Sequence, residues 1–193
     1  MKPLRRAIDG DYCLLAIPES TPATLYEHQR QLQQIYGGFI TSPVHLTLQR
    51  FTTTRPHSIS ALKHNLQDLL PGILPLQIKA KMLYPLYSEF RQSEIIKWEI
   101  EVSKKIRYFF AHLEETLPLF DCVSQYPAGW ISSLITALEE VSPNGNNAPP
   151  DIVDAPRPLF IADKILISRI NGYRDYLLVD EYSTRMGKWK SSV

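Results

Sequence analysis

The sequence predicts an α+β domain in which strands alternate with long helices and each sheet carries its helices on one face. Three observations predict it. Apolar patterns of period two and of period three to four follow one another along the chain, and a related order of elements recurs in its second half. Fifteen prolines against eight glycines argue against a helix bundle. With 193 residues, of which 44% are hydrophobic and 21% charged, the chain has enough apolar material for one or two cores.

Tyr12 to Ile17 is a short, nearly continuous apolar run ended by Pro18, the pattern of a buried strand. Ser20-Thr21-Pro22 reads as a cap with a first-turn proline, and Leu25, Leu32, Ile35 and Tyr36 follow at helical spacing until Gly37-Gly38 stops the helix. From Pro43 to Phe51, Val44, Leu46 and Leu48 alternate with His45, Thr47 and Gln49, as in a half-buried strand. Ser58 caps a second helix with the stripe Ile59, Leu62, Leu66, Leu69 and Leu70, which Pro71-Gly72 is expected to end.

Leu76 to Met82 and Ile96 to Val102 alternate again, predicting two strands across a turn near Glu89 to Ser93. Ser103 caps a third helix whose inward positions are Ile106, Phe109, Phe110, Leu113 and Leu117, and Pro118 closes it. Trp130 to Leu138 is a short apolar segment. Residues 142–158, rich in proline, asparagine and glycine, predict a mobile loop. Phe160 to Ile170 and Tyr176 to Tyr182 read as two closing strands joined at Asn171-Gly172.

Composition excludes several classes of function. A net charge of +1 gives no whole-protein field to gather nucleic acid, so DNA is not an expected partner and a phosphate would need a local site. The two cysteines, Cys13 and Cys122, allow neither a disulfide framework nor a four-thiolate metal site, and read as small buried hydrophobes of a reducing compartment. The apolar run Tyr12 to Ile17 is too short for a signal-peptide core or a membrane span. The expectation is a soluble, cytoplasmic monomer. No metal or other cofactor is expected, because none of the five histidines pairs with another histidine or a thiolate at ligand spacing.

Among the histidines, His45 has the most specific surroundings. On a strand, residues two apart share a face, so the His45 imidazole and the Thr47 hydroxyl point together while Val44, Leu46 and Leu48 anchor the strand. An imidazole beside a hydroxyl can hold a phosphoryl oxygen and move a proton at neutral pH. The alternative is an ordinary strand histidine on a solvated face.

A strand, a capped helix, a strand bearing His-x-Thr-x, a further helix and then a repeat of this scheme resemble the two-histidine phosphoesterase superfamily, which includes 2'-5' RNA ligase-like proteins and cyclic nucleotide phosphodiesterases. The resemblance covers roughly Asp11 to Tyr182. It implies a bilobal α+β domain with two pseudo-symmetric, antiparallel-rich sheets around a central cleft and helices outside. The lobes would be about 11–75 and 76–183, with the terminal strands free to exchange between them. Each lobe of the family contributes one His-x-Thr motif. The first falls on His45 and Thr47. The second falls in YPAGWISSLITALEE, where Thr136 matches and Leu134 stands at the position of the histidine; no histidine follows His112.

By this resemblance the ligand is a nucleotide or RNA phosphodiester, and the catalytic set is His45, Thr47 and Thr136. Leucine does no proton work, so either one imidazole carries a metal-independent reaction or the chain is a pseudoenzyme that kept phosphate binding. Leu134 would form an apolar wall of the site, and water or a nearby hydroxyl such as Ser133 or Tyr126 would stand in for the second proton carrier. Tyr126 and Trp130 stack on a base or belong to the core. Arg169 reaches into the cleft or is an ordinary strand-end arginine. Lys104, Lys105 and Arg107 open a helix and read as a solvated face.

Overall fold

The computed structural model describes residues 10–55, 57–88, 92–141, 152–171 and 176–191. In chain order the elements are β1 (Tyr12–Ile17), α1 (Ala23–Tyr36), β2 (Phe39–Ile40), β3 (Leu46–Thr52), α2 (His57–Ile73), β4 (Leu76–Ser88), β5 (Ser93–Ile100) and α3 (Lys104–Thr116). A 3-10 helix over Leu117–Phe120 leads to β6 (Val123–Ser124), β7 (Leu134–Val141), β8 (Ile152–Ala162), β9 (Lys164–Ile170), β10 (Tyr176–Ser183) and β11 (Lys188–Ser191).

The local chemistry accounts for the helix ends. The Ser103 hydroxyl accepts a hydrogen bond from the Ile106 amide at 3.3 Å and starts α3. Gly37 ends α1 at a φ of 69°, donating its amide to the Gln33 carbonyl. Gly38, at a φ of 79°, lets the chain pass so close to β7 that a Cβ would lie 2.4 Å from the Glu139 carbonyl oxygen. That close approach starts the β2–β7 pairing, Phe39 opposite Glu139. Pro71 does not end α2 as the sequence suggested. The helix runs on to Ile73, because Leu70 and Ile73 both bury on the core and the Leu74 amide still bonds the Leu70 carbonyl at 2.8 Å.

The strands form two sheets, a six-stranded one ordered β11-β10-β9-β1-β3-β6 and a five-stranded one ordered β2-β7-β5-β4-β8, and every pairing is antiparallel. This is the α+β class that the sequence pattern predicts, with the two antiparallel sheets that the resemblance implies. Helix α1 packs on the second sheet against β7, while α2 and α3 pack on the first, against β11 and β3. One apolar core joins the helices to both sheets, with Phe51, Phe109, Leu62 and Leu66 under the first and Trp98, Ile78 and Ile135 under the second. Buried Gln29 of α1 donates its side-chain amide to the Ala137 carbonyl at 3.0 Å and so ties that helix to β7. At the far edge, Asp180 of β10 accepts from Lys63 Nζ of α2 and from the Ser191 hydroxyl, each at 2.6 Å.

Two sequence readings change. Phe160 to Ile170 is not one strand: β8 pairs with β4 in the second sheet and β9 with β1 in the first, and the chain crosses between sheets at Asp163, whose amide bonds the Ile17 carbonyl at 3.2 Å. Nor is 142–158 all loop, since β8 begins at Ile152; residues 142–151 lie outside the described residues. Pro156 and Pro158 are compatible with this strand because β8 is an edge, where a missing amide need not break the ladder. The expected turn falls at residues 89–91, also outside the described ones. No helix among the described residues is long and apolar enough to cross a membrane.

Both cysteines are free thiols and buried. Burial, opposed in part by Arg50, pushes the Cys13 thiol up to about 12, and burial pushes Cys122 up to about 11. An unfolded thiol ionises near its ordinary value of 9.0. Above that pH the unfolded chain binds fewer protons than the folded one, so stability falls as pH rises. Thermal melts from pH 8 to 11 should show a downward slope that is shallower in the Cys13→Ala and Cys122→Ala variants. Equal slopes in wild type and variants would show that the thiols are not protected by the fold.

Candidate functional site

A cleft of about 430 Å³ lies where the two sheets approach each other, and its lining comes from both. From the first sheet come His45, just before β3, then Thr47 and Arg50; from the second come Leu134 and Thr136 of β7 with Ile95 and Lys97 of β5. Strand alternation explains the selection. Leu46 and Leu48 are fully buried on the helix side of β3, and Ile135 and Ala137 on the helix side of β7. The residues between them face the cleft.

The first strand departs from simple alternation in one place. The β1–β3 register pairs Leu15 with Thr47 but Leu14 with Gln49 and Cys13 with Arg50, so one extra residue is accommodated on β3. Gln49, expected on the face of His45 and Thr47, is therefore buried, and its side-chain carbonyl accepts from the Ser124 hydroxyl at 3.0 Å. Arg50 takes the cleft-facing place instead. The bulge thus delivers a guanidinium beside the His-x-Thr pair, which period-two reading of the sequence missed.

The His45 ring is oriented from behind. Its Nδ1 lies 2.8 Å from the Pro43 carbonyl oxygen, which can only accept, so Nδ1 carries the hydrogen and Nε2 is the nitrogen that binds or releases a proton. Across the cleft, Lys97 stands directly opposite Thr136 in the β5–β7 ladder, and Glu99 opposite Leu134. Lysine at a cleft-facing position of β5 is a second feature the sequence reading passed over. Its signal was present in the alternation of Lys97 and Glu99 with Ile96 and Trp98.

A tight loop closes one end. The Tyr126 and Trp130 rings stack at 3.9 Å between centroids with 27° between their planes, and the Arg50 guanidinium lies 5.5 Å from the Tyr126 centroid. Neither aromatic belongs to the fully buried set, and both line the cleft. The loop is held by the Gln125 amide on the Arg50 carbonyl at 2.7 Å, and by the Gly129 amide on the Glu114 carboxylate of α3 at 2.9 and 3.1 Å.

Two residues singled out from the sequence do not reach the cleft. Ser133 is one step out of phase with Leu134 and Thr136; Ser132, which is in phase, lines the cleft in its place, while the Ser133 carbonyl accepts from the Ile100 amide at 2.8 Å. Arg169 pairs with Tyr12, on the opposite face of the first sheet from the Cys13, Ser168 and Arg50 row. Among the described residues no group of three histidine, cysteine, aspartate or glutamate side chains is placed to hold a metal ion. The Glu114→Ala variant should loosen the loop and red-shift tryptophan emission, with the shift absent in a Trp130→Phe background; loss of this exposed contact should lower stability by less than about 1 kcal/mol.

No family model matches the chain, and no curated protein matches it by sequence. Solved structures do match by shape. Escherichia coli LigT, determined in complex with 3'-AMP, superposes with a TM-score of 0.59 at 12% identity over 91% of this chain and 98% of its own. A protein of Thermus thermophilus gives 0.57 at 18% identity over 91% and 98%, and a structure described as a phosphoesterase gives 0.53 at 14% identity over 90% and 98%. The chain has the two-sheet fold of these LigT and phosphoesterase structures, the fold that its resemblance to the two-histidine phosphoesterases implies.

Proposed function

We propose that the cleft binds ribose-linked phosphodiesters, such as a 2',3'-cyclic nucleotide or an RNA end, and that His45 carries the one imidazole proton transfer left to it. The observation that supports this reading most is the convergence of one imidazole and two threonine hydroxyls, from strands of two different sheets, in one cleft of this fold. The nucleotide held by the similarly folded LigT supports the ligand class. Among the described residues the lining offers a single imidazole and no carboxylate or thiolate, a donor set suited to an anion rather than to a metal ion.

In this reading Thr47 and Thr136 donate to the non-bridging phosphoryl oxygens from the two sides, and Arg50 adds a charge-assisted contact. His45 Nε2 takes the proton of the attacking water as its oxygen bonds to phosphorus. The ester bond to the departing ribose oxygen then breaks, and that oxygen must gain a proton. Leu134 cannot supply it. Lys97, opposite Thr136, stabilises the negative charge growing on the leaving oxygen, and solvent water provides the proton. Tyr126 is engaged in its stack with Trp130, and the pair is the platform for a base. Loss of a positioned general acid costs about 10² to 10⁴ in rate, so turnover is slow. A second reading, a phosphate- or RNA-binding module that kept the fold and lost the reaction, rests on Leu134 itself.

Assays of 2',3'-cyclic nucleotides and short 2'-5'-linked oligonucleotides separate the two. Slow turnover abolished in His45→Ala supports catalysis, whereas binding with no turnover supports the module; neither binding nor turnover would overturn both. Leu134→His should raise turnover of a cyclic nucleotide by about 10², because it returns an imidazole to the cleft face of β7. A rise that persists when His45 is also replaced would contradict the assigned pairing.

A further inference from the structure

A second concavity exceeds the cleft in volume. A pocket of about 720 Å³ lies on the other face of the second sheet, beside the first turns of α1. Lys97 and Trp98 are consecutive on β5, so their side chains leave the sheet in opposite directions, Lys97 into the cleft and Trp98 toward this pocket. Its existence follows from the architecture. Among the described residues a single helix, α1, lies over this face near β7 and β2, and the β5-β4-β8 side of the five-stranded sheet is left beside it.

We propose that this pocket is a second binding site, for a small ligand with a planar apolar body and one acidic group. The body would rest on Trp98, Leu83, Ala80 and Leu159, which are less than a tenth exposed yet line the pocket. Its volume lies within the range of small-molecule sites. His28 of α1 lies over the same tryptophan, with its ring centroid 6.0 Å away, and gives one wall an aromatic face. Burial and then the neighbouring Arg157 push the His28 pKa down, so its imidazole is neutral at pH 7 and contributes hydrogen bonding rather than charge.

The charge preference comes from two positive features on one rim. Arg157 of β8 stands opposite Ala80 in the β4–β8 ladder and lines the pocket. Ala23 and Thr24, which also line it, open α1 with no side-chain cap and no acidic residue in the first turn, so the positive end of the helix dipole faces this rim uncompensated. Glu27 is the opposing charge in the lining; it is exposed and therefore well solvated, and it weakens the preference without reversing it.

The test uses the full chain and the dye 8-anilinonaphthalene-1-sulfonate, a planar apolar body with one sulfonate, followed by fluorescence titration. The expected result is saturable binding of one dye per chain. Arg157→Gln should weaken it about tenfold, the scale of a lost charge-assisted hydrogen bond, and Glu27→Gln should tighten it about twofold. Thr24→Trp, at an exposed helix position on the rim, should block it, while His45→Ala and Trp130→Ala should leave it unchanged. Thermal melts matched to wild type establish that each variant is folded. Absence of saturable binding, indifference to Arg157→Gln and Thr24→Trp in folded variants, or sensitivity to the cleft variants would each overturn the assignment.

Discussion

The cleft depends on an exchange of strands between the two halves of the chain. Neither half builds its own sheet: β2, early in the sequence, is the edge of the second sheet, while β6, β9, β10 and β11 come after the second sheet has begun and complete the first. The crossing at Asp163 carries the backbone from β8 directly into β9, which pairs with β1. Separating the two halves of the chain would therefore strip an edge or a flank from each sheet and expose the ladders that these strands satisfy. The distance between His45 and Thr136 is set by covalent continuity and paired backbone, rather than by a lobe interface that can slide.

Much of this was legible in the sequence because the strands that carry chemistry alternate cleanly. Leu46 and Leu48 against His45 and Thr47, and Ile135 and Ala137 against Leu134 and Thr136, assign faces by the period of the pleat alone. The α3 cap was legible from residue type, a serine just before a helical pattern, and the Ser103 hydroxyl accepts from the Ile106 amide. Legibility ended where a second constraint overrode the period. The bulge between Leu14 and Leu15 on one strand and Thr47 and Gln49 on the other has no marker of composition, so period two alone puts Gln49 on the face of His45 and Thr47 and misses Arg50. Arg169 and Ser133 failed for the opposite reason. The alternation there is intact, and attention to residue type led past the face that each residue occupies. In 160–170 the apolar residues stop at Asp163-Lys164 and resume at Ile165, because β8 and β9 each bury a face; a two-residue polar break does not by itself mark a change of sheet, which the pairing reveals.

The site is asymmetric in a way that follows from these placements. On the first sheet, one imidazole held through Nδ1 and one hydroxyl stand beside a guanidinium. On the second, Leu134 stands two residues before Thr136 as His45 stands before Thr47, and the cation beside Thr136 belongs to the neighbouring strand. A proton carrier and a fixed charge are not equivalent. An imidazole changes charge near neutral pH, whereas lysine and arginine keep theirs, so one side of the cleft is suited to moving a proton and the other to holding an anion.

The second sheet has two working faces, and its residue order reconciles them. Along β5, Ile95 and Lys97 look toward the cleft while Ile96 and Trp98 are held in the opposite face. A sheet that carries polar groups into a cleft must bury its other face, and α1 supplies that cover over β7 through Gln29. Where α1 does not extend, the apolar residues of β4 and β8 need another neighbour. Trp98 meets this need partly with the His28 ring, leaving the remaining apolar surface concave rather than flat. The concavity is thus a consequence of covering a five-stranded sheet, among the described residues, with one helix, and the groups at its rim, Arg157 and the uncapped start of α1, determine which charge it admits.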